Sequence, residues 1–183
     1  MIRKIIIRVV AVLAVVVIGI LVFAMTQPDT FRVERAASIK APPEKIYAVL
    51  TDFHQSIAWS PYEKLDPGMQ RTFSGAPSGK GAVYEWSGNK DVGAGRMEIT
   101  EVTAPSGIVM SLRFLRPFEA HNTTEFKLQP QGAQGSEMTH VTWSMSGPMP
   151  YISKVMCLFF DMDAMIGRDF ETGLANLKAL TEK

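Results

Sequence analysis

Seven ionisable residues fall on segments whose patterning predicts strand or helix: Glu85, Arg96, Glu98, Arg113, Glu119, His121 and Asp163. Turned inward, one of these groups could serve as a general acid or base, which has to be held within reach of the proton it moves. Strand alternation works against most of them. They neighbour Tyr84, Trp86, Met97, Ile99 and Phe114, and adjacent residues on a strand point to opposite faces. Asp163 differs, because either it or Met162 has to occupy the inner stripe between Phe159 and Ile166. No catalytic set is assigned.

Other chemistry is excluded by spacing. Gly75-Ala-Pro-Ser-Gly79-Lys80 has three residues between its glycines where a phosphate-binding loop has four. Gly81 stands where the hydroxyl for Mg²⁺ belongs, and the "AVYEW" that follows predicts a strand, so no helix N-terminus faces a phosphate. Gly93-Ala-Gly95 fails as a dinucleotide fingerprint for the same reason. Asp161 and Asp163 stand like the first ligands of an EF-hand. However, Met165 takes the third ligand position, Gly167 arrives one residue late and Thr172 holds the twelfth. The three histidines, His54, His121 and His140, have no ligand spacing. Neither a metal nor a cofactor is expected. Cys157, the only cysteine, lies in the apolar stretch "KVMCLFFDM" and reads as a small buried hydrophobe. Asn122-Thr123-Thr124 fits a glycosylation sequon but falls on a predicted strand.

The elements that position these residues begin after a distinct N-terminal segment. Residues 9–25 carry no charge and follow Arg3, Lys4 and Arg8. As a helix this run spans about 26 Å at about 1.5 Å per residue, and Ile5, Ile6 and Ile7 can extend it towards a hydrocarbon core of about 30 Å. The positive charges precede it, and Gln27, Pro28 and Asp29 follow. The positive-inside rule then predicts a cytoplasmic N-terminus and an extracytoplasmic domain. A cleaved signal peptide ending at Val22-Phe23-Ala24 is the alternative, although signal cores are usually only about 7–15 residues long. Residues 1–27 are read as this segment and 28–183 as one domain, long enough for a sizeable core. From Thr30 onward 16 Lys+Arg stand against 17 Asp+Glu, so no basic tract suggests nucleic acid.

Residues 31–40 alternate as a strand, and "APPEKIYAVLTDF" opens a helix with Pro at its start and Glu44 in its first turn. Six further strands are predicted at 69–74, 81–88, 93–103, 107–115, 120–130 and 137–146, joined by short turns into an antiparallel meander. Apolar residues then recur at helical spacing from 152 to 180. One helix over 151–182 would be about 48 Å long, more than the ~35–40 Å diameter of such a domain. A break is therefore expected between 161 and 167, giving helices at 151–161 and about 164–182.

The chain holds 11 Met, 10 Phe, 3 Trp and 4 Tyr. Tyr84, Trp86, Met97, Ile99, Met110, Leu112, Phe114, Phe126, Trp143 and Met145 fall on inward strand positions. Met156, Phe159, Phe160 and Phe170 fall on inward helix positions. Most are core, but a curved sheet gripping one helix leaves space near its mouth, and methionine suits an adaptable apolar lining. The expected lining is those ten sheet residues with Trp59, Met156, Phe160 and Asp163.

The stretch "VERAASIKAPPEKIYAVLTDFHQSIAWSPYEKLDP" resembles the opening of START-like, polyketide cyclase/dehydrase-type domains of the SRPBCC superfamily. In that family a first strand leads through A-P-P-E-x-I-[YF] into a helix, and D-F-x-x-x-x-x-W-S-P follows, as at residues 52–61 here. "GAVYEWSGN", "GAGRMEITEV", "FLRPFEAHNTTEF" and "THVTWSMSGP" are similar to its later strands, and "MIGRDFETGLANLKAL" to its long last helix, so the likeness covers residues 31–182. It implies an α+β helix-grip fold: a seven-stranded antiparallel curved sheet wrapped round a long C-terminal helix, here preceded by one transmembrane helix. It also implies an internal cavity for an apolar small molecule or lipid, and the lack of a catalytic constellation favours binding without catalysis. The alternatives are a cyclase or dehydratase-like enzyme, and an interaction module presenting "WSPYEK" and "LRPFEAHN" to a protein partner.

Overall fold

The computed structural model describes residues 2–132 and 137–183. It divides into two compact units. The first is the chain up to Phe31 together with Pro148–Met162. The second is Arg32–Gly147 with Asp163–Lys183.

In the first unit, α1 (Ile2–Met25) is a 24-residue helix, long and apolar enough to cross a membrane, and of its described side chains only Ala24 is buried. The short helix α4 (Tyr151–Cys157) packs against α1. It starts after Pro150, whose ring favours the extended backbone preceding a helix.

The second unit carries a curved seven-stranded sheet. Strand β1 (Thr30–Ile39) leads into α2 (Pro43–Thr51), which buries Ile46 and Leu50. Asp52 ends α2 and accepts a hydrogen bond from the His54 amide at 2.9 Å, capping a 3-10 turn at Phe53–Gln55. One turn of helix, α3 (Ser56–Trp59), and a second 3-10 turn at Pro61–Lys64 complete this connection. The meander follows as β2 (Gln70–Gly75), β3 (Ala82–Ser87), β4 (Ala94–Thr103), β5 (Gly107–Arg116), β6 (Ala120–Gln131) and β7 (Met138–Pro148). The spatial order is β1-β7-β6-β5-β4-β3-β2, so the first strand closes against the last. Each predicted strand lies within two residues of an observed one, whereas the break in the C-terminal helical region falls between Cys157 and Met162, ahead of the 161–167 expected, the first helix ending four residues sooner.

The long last helix, α5 (Met162–Thr181), buries Phe170, Leu174 and Leu177. Both its ends are tied to β1. Arg35 donates to Asp163 at 2.8 Å and to Glu171 at 3.0 Å. Further along, Lys178 donates to the Ser38 carbonyl at 2.9 Å, and Glu182 accepts from the Lys40 amide at 2.6 Å. Two glycines let the helix come this close. A Cβ on Gly167 would collide with the Arg35 guanidinium, and one on Gly173 would lie 2.6 Å from the Trp143 ring and 3.1 Å from Pro61.

Candidate functional site

Strand register decides which side chains share a face. Opposed residues form rows across the sheet: Phe73, Tyr84, Met97, Leu112 and Asn122 in one, Ile99, Met110, Thr124 and Met145 in the next, Ile108, Phe126 and Trp143 in a third. Trp86 and Phe114 flank Gly95 in the row beyond Tyr84. The Trp143 ring stacks on Phe170 of α5 with centroids 4.0 Å apart, so this is the face that meets α5. All ten sheet residues expected to line the site lie on it. Glu85, Arg96, Glu98, Arg113 and His121 fall on the opposite face. There Arg96 pairs with Glu98 at 2.7 Å and with Glu85 at 3.8 Å. Glu119 is exposed ahead of β6.

The inner face is not uniform. Ile99, Ile108 and Phe126 are at most 1% exposed, whereas Phe73, Trp86, Met97, Phe114 and Asn122 are only half-buried. Packing is therefore tightest round Ile99, Ile108 and Phe126 and looser round Phe73, Trp86, Met97 and Phe114. Trp59 is buried in the tightly packed part, edge-on to Trp143 at 5.5 Å and to Phe126 at 5.9 Å. The indole N–H groups of Trp59 and Trp143 are buried without a hydrogen-bond partner. A buried donor left unmade carries a desolvation penalty.

The 3-10 turn at Pro61–Lys64 brings polar groups to this region. Its Glu63 is buried; one carboxylate oxygen accepts from Arg71 Nε at 2.7 Å and the other from the Tyr84 hydroxyl at 2.6 Å. Burial, reinforced by the Glu63 carboxylate, holds the Tyr84 hydroxyl well above the usual tyrosine range. Arg71 also donates to the Met69 carbonyl at 2.8 Å. The neighbouring Tyr62 turns to α5, where its hydroxyl bonds Asp169. Burial raises the Tyr62 pKa, and burial raises that of Asp169 against the opposing hydrogen bond and Arg168 charge. Yet 36% of the Tyr62 surface is open.

Three expected lining residues are exposed. Met156 and Phe160 belong to the first unit, 50% and 60% exposed. The Asp163 side chain is 59% exposed and held by Arg35, whose hydrogen bond lowers its pKa. Phe118 is 78% exposed. Among the described residues no group of three or more His, Cys, Asp or Glu side chains could hold a metal.

Arg71 and Asp169 are absent from the expectations above, and Tyr62 and Glu63 entered them only within the "WSPYEK" stretch offered to a protein partner. Two left a trace in the sequence. Asp169 stands three residues after Ile166 and four before Gly173, inside the apolar stripe of α5, and Arg71 shares strand parity with Phe73.

A family model described as polyketide cyclase / dehydrase and lipid transport matches residues 30–182. No curated protein matches the chain. Among solved structures, the chain is similar to a Chromobacterium violaceum protein, at 18% identity over 86% of this chain and 99% of that one, with a TM-score of 0.58. It is similar to the Aha1 dimer from Colwellia psychrerythraea, at 18% identity over 83% and 96%, with a TM-score of 0.58. It is also similar to major latex-like protein 151 of Panax ginseng, at 12% identity over 85% and 100%, again with a TM-score of 0.58. At these identities the likeness is one of fold.

Proposed function

The chain belongs to the polyketide cyclase / dehydrase and lipid transport family, and from that premise we propose that it is a membrane-tethered, non-catalytic binder of an apolar small molecule or lipid. The ligand lies in the recess between the inner sheet face and α5, against Trp86, Met97 and Phe114. The observation that carries this reading is the uneven burial of the apolar face, where Trp86, Met97 and Phe114 are only half-buried while Ile99, Ile108 and Phe126 are sealed. A mostly apolar concavity with a few polar groups suits such a ligand. Tyr62 and Asp169 supply the polar contact for a hydroxyl or carbonyl at one end of an apolar body. The acids and bases of the outer face, paired with one another, take no part. Helix α1 tethers the domain, and the charges before it argue for an extracytoplasmic domain.

One observation favours a second reading, general acid–base chemistry of cyclase or dehydratase type: Asp169 has a raised pKa and a tyrosine partner.

All three tryptophans of the chain, Trp59, Trp86 and Trp143, lie on this face or pack against it, so intrinsic fluorescence reports on the site directly. Dibromostearate added to the full chain in nanodiscs is expected to quench it saturably, and Met97→Trp, by filling the floor, to weaken that quenching at least several-fold. Quenching that rises without saturation, equally in both proteins, would remove the binding reading. Turnover of a polyketide-like substrate that Asp169→Asn abolishes while saturable quenching persists would establish the second.

A further inference from the structure

The first unit pairs α1 with a short helix whose outer side is apolar. Ile152, Met156, Phe159 and Phe160 are 66%, 50%, 65% and 60% exposed. Their spacing of four, three and one residues gathers them on one side of a helical stretch. A cluster of this kind on a soluble surface marks a contact with something apolar.

What it contacts follows from how α4 is held. The Tyr151 hydroxyl donates to the carbonyl of Leu21 at 2.8 Å, four residues inside the end of α1. Three residues further along α4, Lys154 donates to the Gln27 carbonyl at 2.8 Å and to Asp29 at 2.6 Å, just beyond that end. The Met149 amide donates to the Asp29 carbonyl at 2.7 Å. These bonds bracket α4 between the levels of Leu21 and Asp29, a slab that begins about 6 Å inside the end of α1 at about 1.5 Å per residue and runs just past it. If α1 crosses a bilayer, this slab is the boundary between acyl chains and headgroups on the side where α1 ends. Tyrosine is enriched at that depth, and helices lying in the interface bury their apolar side by about 5–10 Å. The one cation of α4, Lys154, is 7% exposed at its side chain and turned onto Asp29, leaving the apolar side free of charge.

We propose that α4, with Phe159 and Phe160, lies in the headgroup–acyl boundary of the leaflet where α1 ends, making a second, interfacial foothold on the same membrane. This rests on the reading of α1 as a membrane span and is tested separately from it. The full chain carrying Cys157→Ser receives a single new cysteine at Val12, Phe159 or Glu101, each labelled with an environment-sensitive fluorophore. It is reconstituted in phosphatidylcholine–phosphatidylglycerol vesicles containing lipids quenched near the headgroup or near the acyl terminus. The label at Phe159→Cys is expected to be blue-shifted and quenched at least two-fold more by the headgroup-proximal lipid. That at Val12→Cys should be quenched more by the deep lipid, and that at Glu101→Cys by neither. A Phe159→Cys label that matches Glu101→Cys, or is blue-shifted but insensitive to both lipids because protein covers it, overturns the proposal while leaving the span intact. A Val12→Cys label that no lipid quenches overturns the span and the foothold together.

Discussion

Replacing Glu63 by alanine tests the polar clamp between the 3-10 turn and the sheet. The carboxylate is 6% exposed and makes two short bonds, 2.7 Å to Arg71 and 2.6 Å to Tyr84. Removing one partner of a buried ion pair costs about 3–5 kcal/mol, because the other charge is left uncompensated. Arg71 softens this: its side chain is 19% exposed and keeps its bond to Met69. The buried Tyr84 hydroxyl, left without an acceptor, adds about 1–3 kcal/mol. A loss of about 3 kcal/mol is expected, a fall in melting temperature of about 6–12 °C for a domain of this size. Glu63→Gln keeps an acceptor for Tyr84 and loses only the charge, so it should fall by roughly half as much. The assay is thermal unfolding of the full chain in nanodiscs at neutral pH, followed by tryptophan fluorescence. In the cycle of Glu63→Leu, Arg71→Met and the double variant, the double should melt higher than the sum of the two single losses predicts. Melting of Glu63→Ala within about 1 °C of the parent, or strict additivity in the cycle, would show that the clamp does not hold the turn to the sheet.

Gly173→Ala should destabilise by about 1–3 kcal/mol through overpacking, although alanine is the better helix former by about 1 kcal/mol. The Trp143 ring it would strike is stacked on Phe170 and has nowhere to move, and a raised melting temperature would contradict this. Asp169 gives a pH signature. Its folded pKa is raised, so the native state holds the proton more tightly, and this stability fades as pH rises from about 4, the unfolded value, through the folded one. The melting temperature of Asp169→Asn relative to the parent should therefore increase over that window, and a flat or falling difference would refute the burial of Asp169. Arg35→Ala frees the start of α5 from β1; hydrogen exchange of amides 164–168 should accelerate while that of 174–178 stays unchanged.

The sheet was legible because alternation is written into each strand: Phe126 and Leu128, or Val141, Trp143 and Met145, can satisfy an apolar face only as strands. The break before α5 followed from length alone. The polar contacts of the recess were not legible. Glu63 meets Arg71 and Tyr84 only once a turn, a strand edge and a neighbouring strand have assembled, and no local spacing encodes that. Asp169 was hidden by the habit of reading an acid as solvated, although its position in the stripe of α5 argued otherwise. Met156 and Phe160 teach the converse. Helical spacing reveals an apolar side but not what covers it; both were assigned to the interior, and both are exposed in the other unit.

Adjacent residues on the 3-10 turn at Pro61–Lys64 grip opposite walls, Tyr62 on α5 and Glu63 on the sheet. That single peptide acts as a spacer strut. The spacing of α5 from β3 at this turn is thus gauged by the reach of one phenol and one carboxylate, and a molecule lodged there would have to fit that spacing or break one of the two grips.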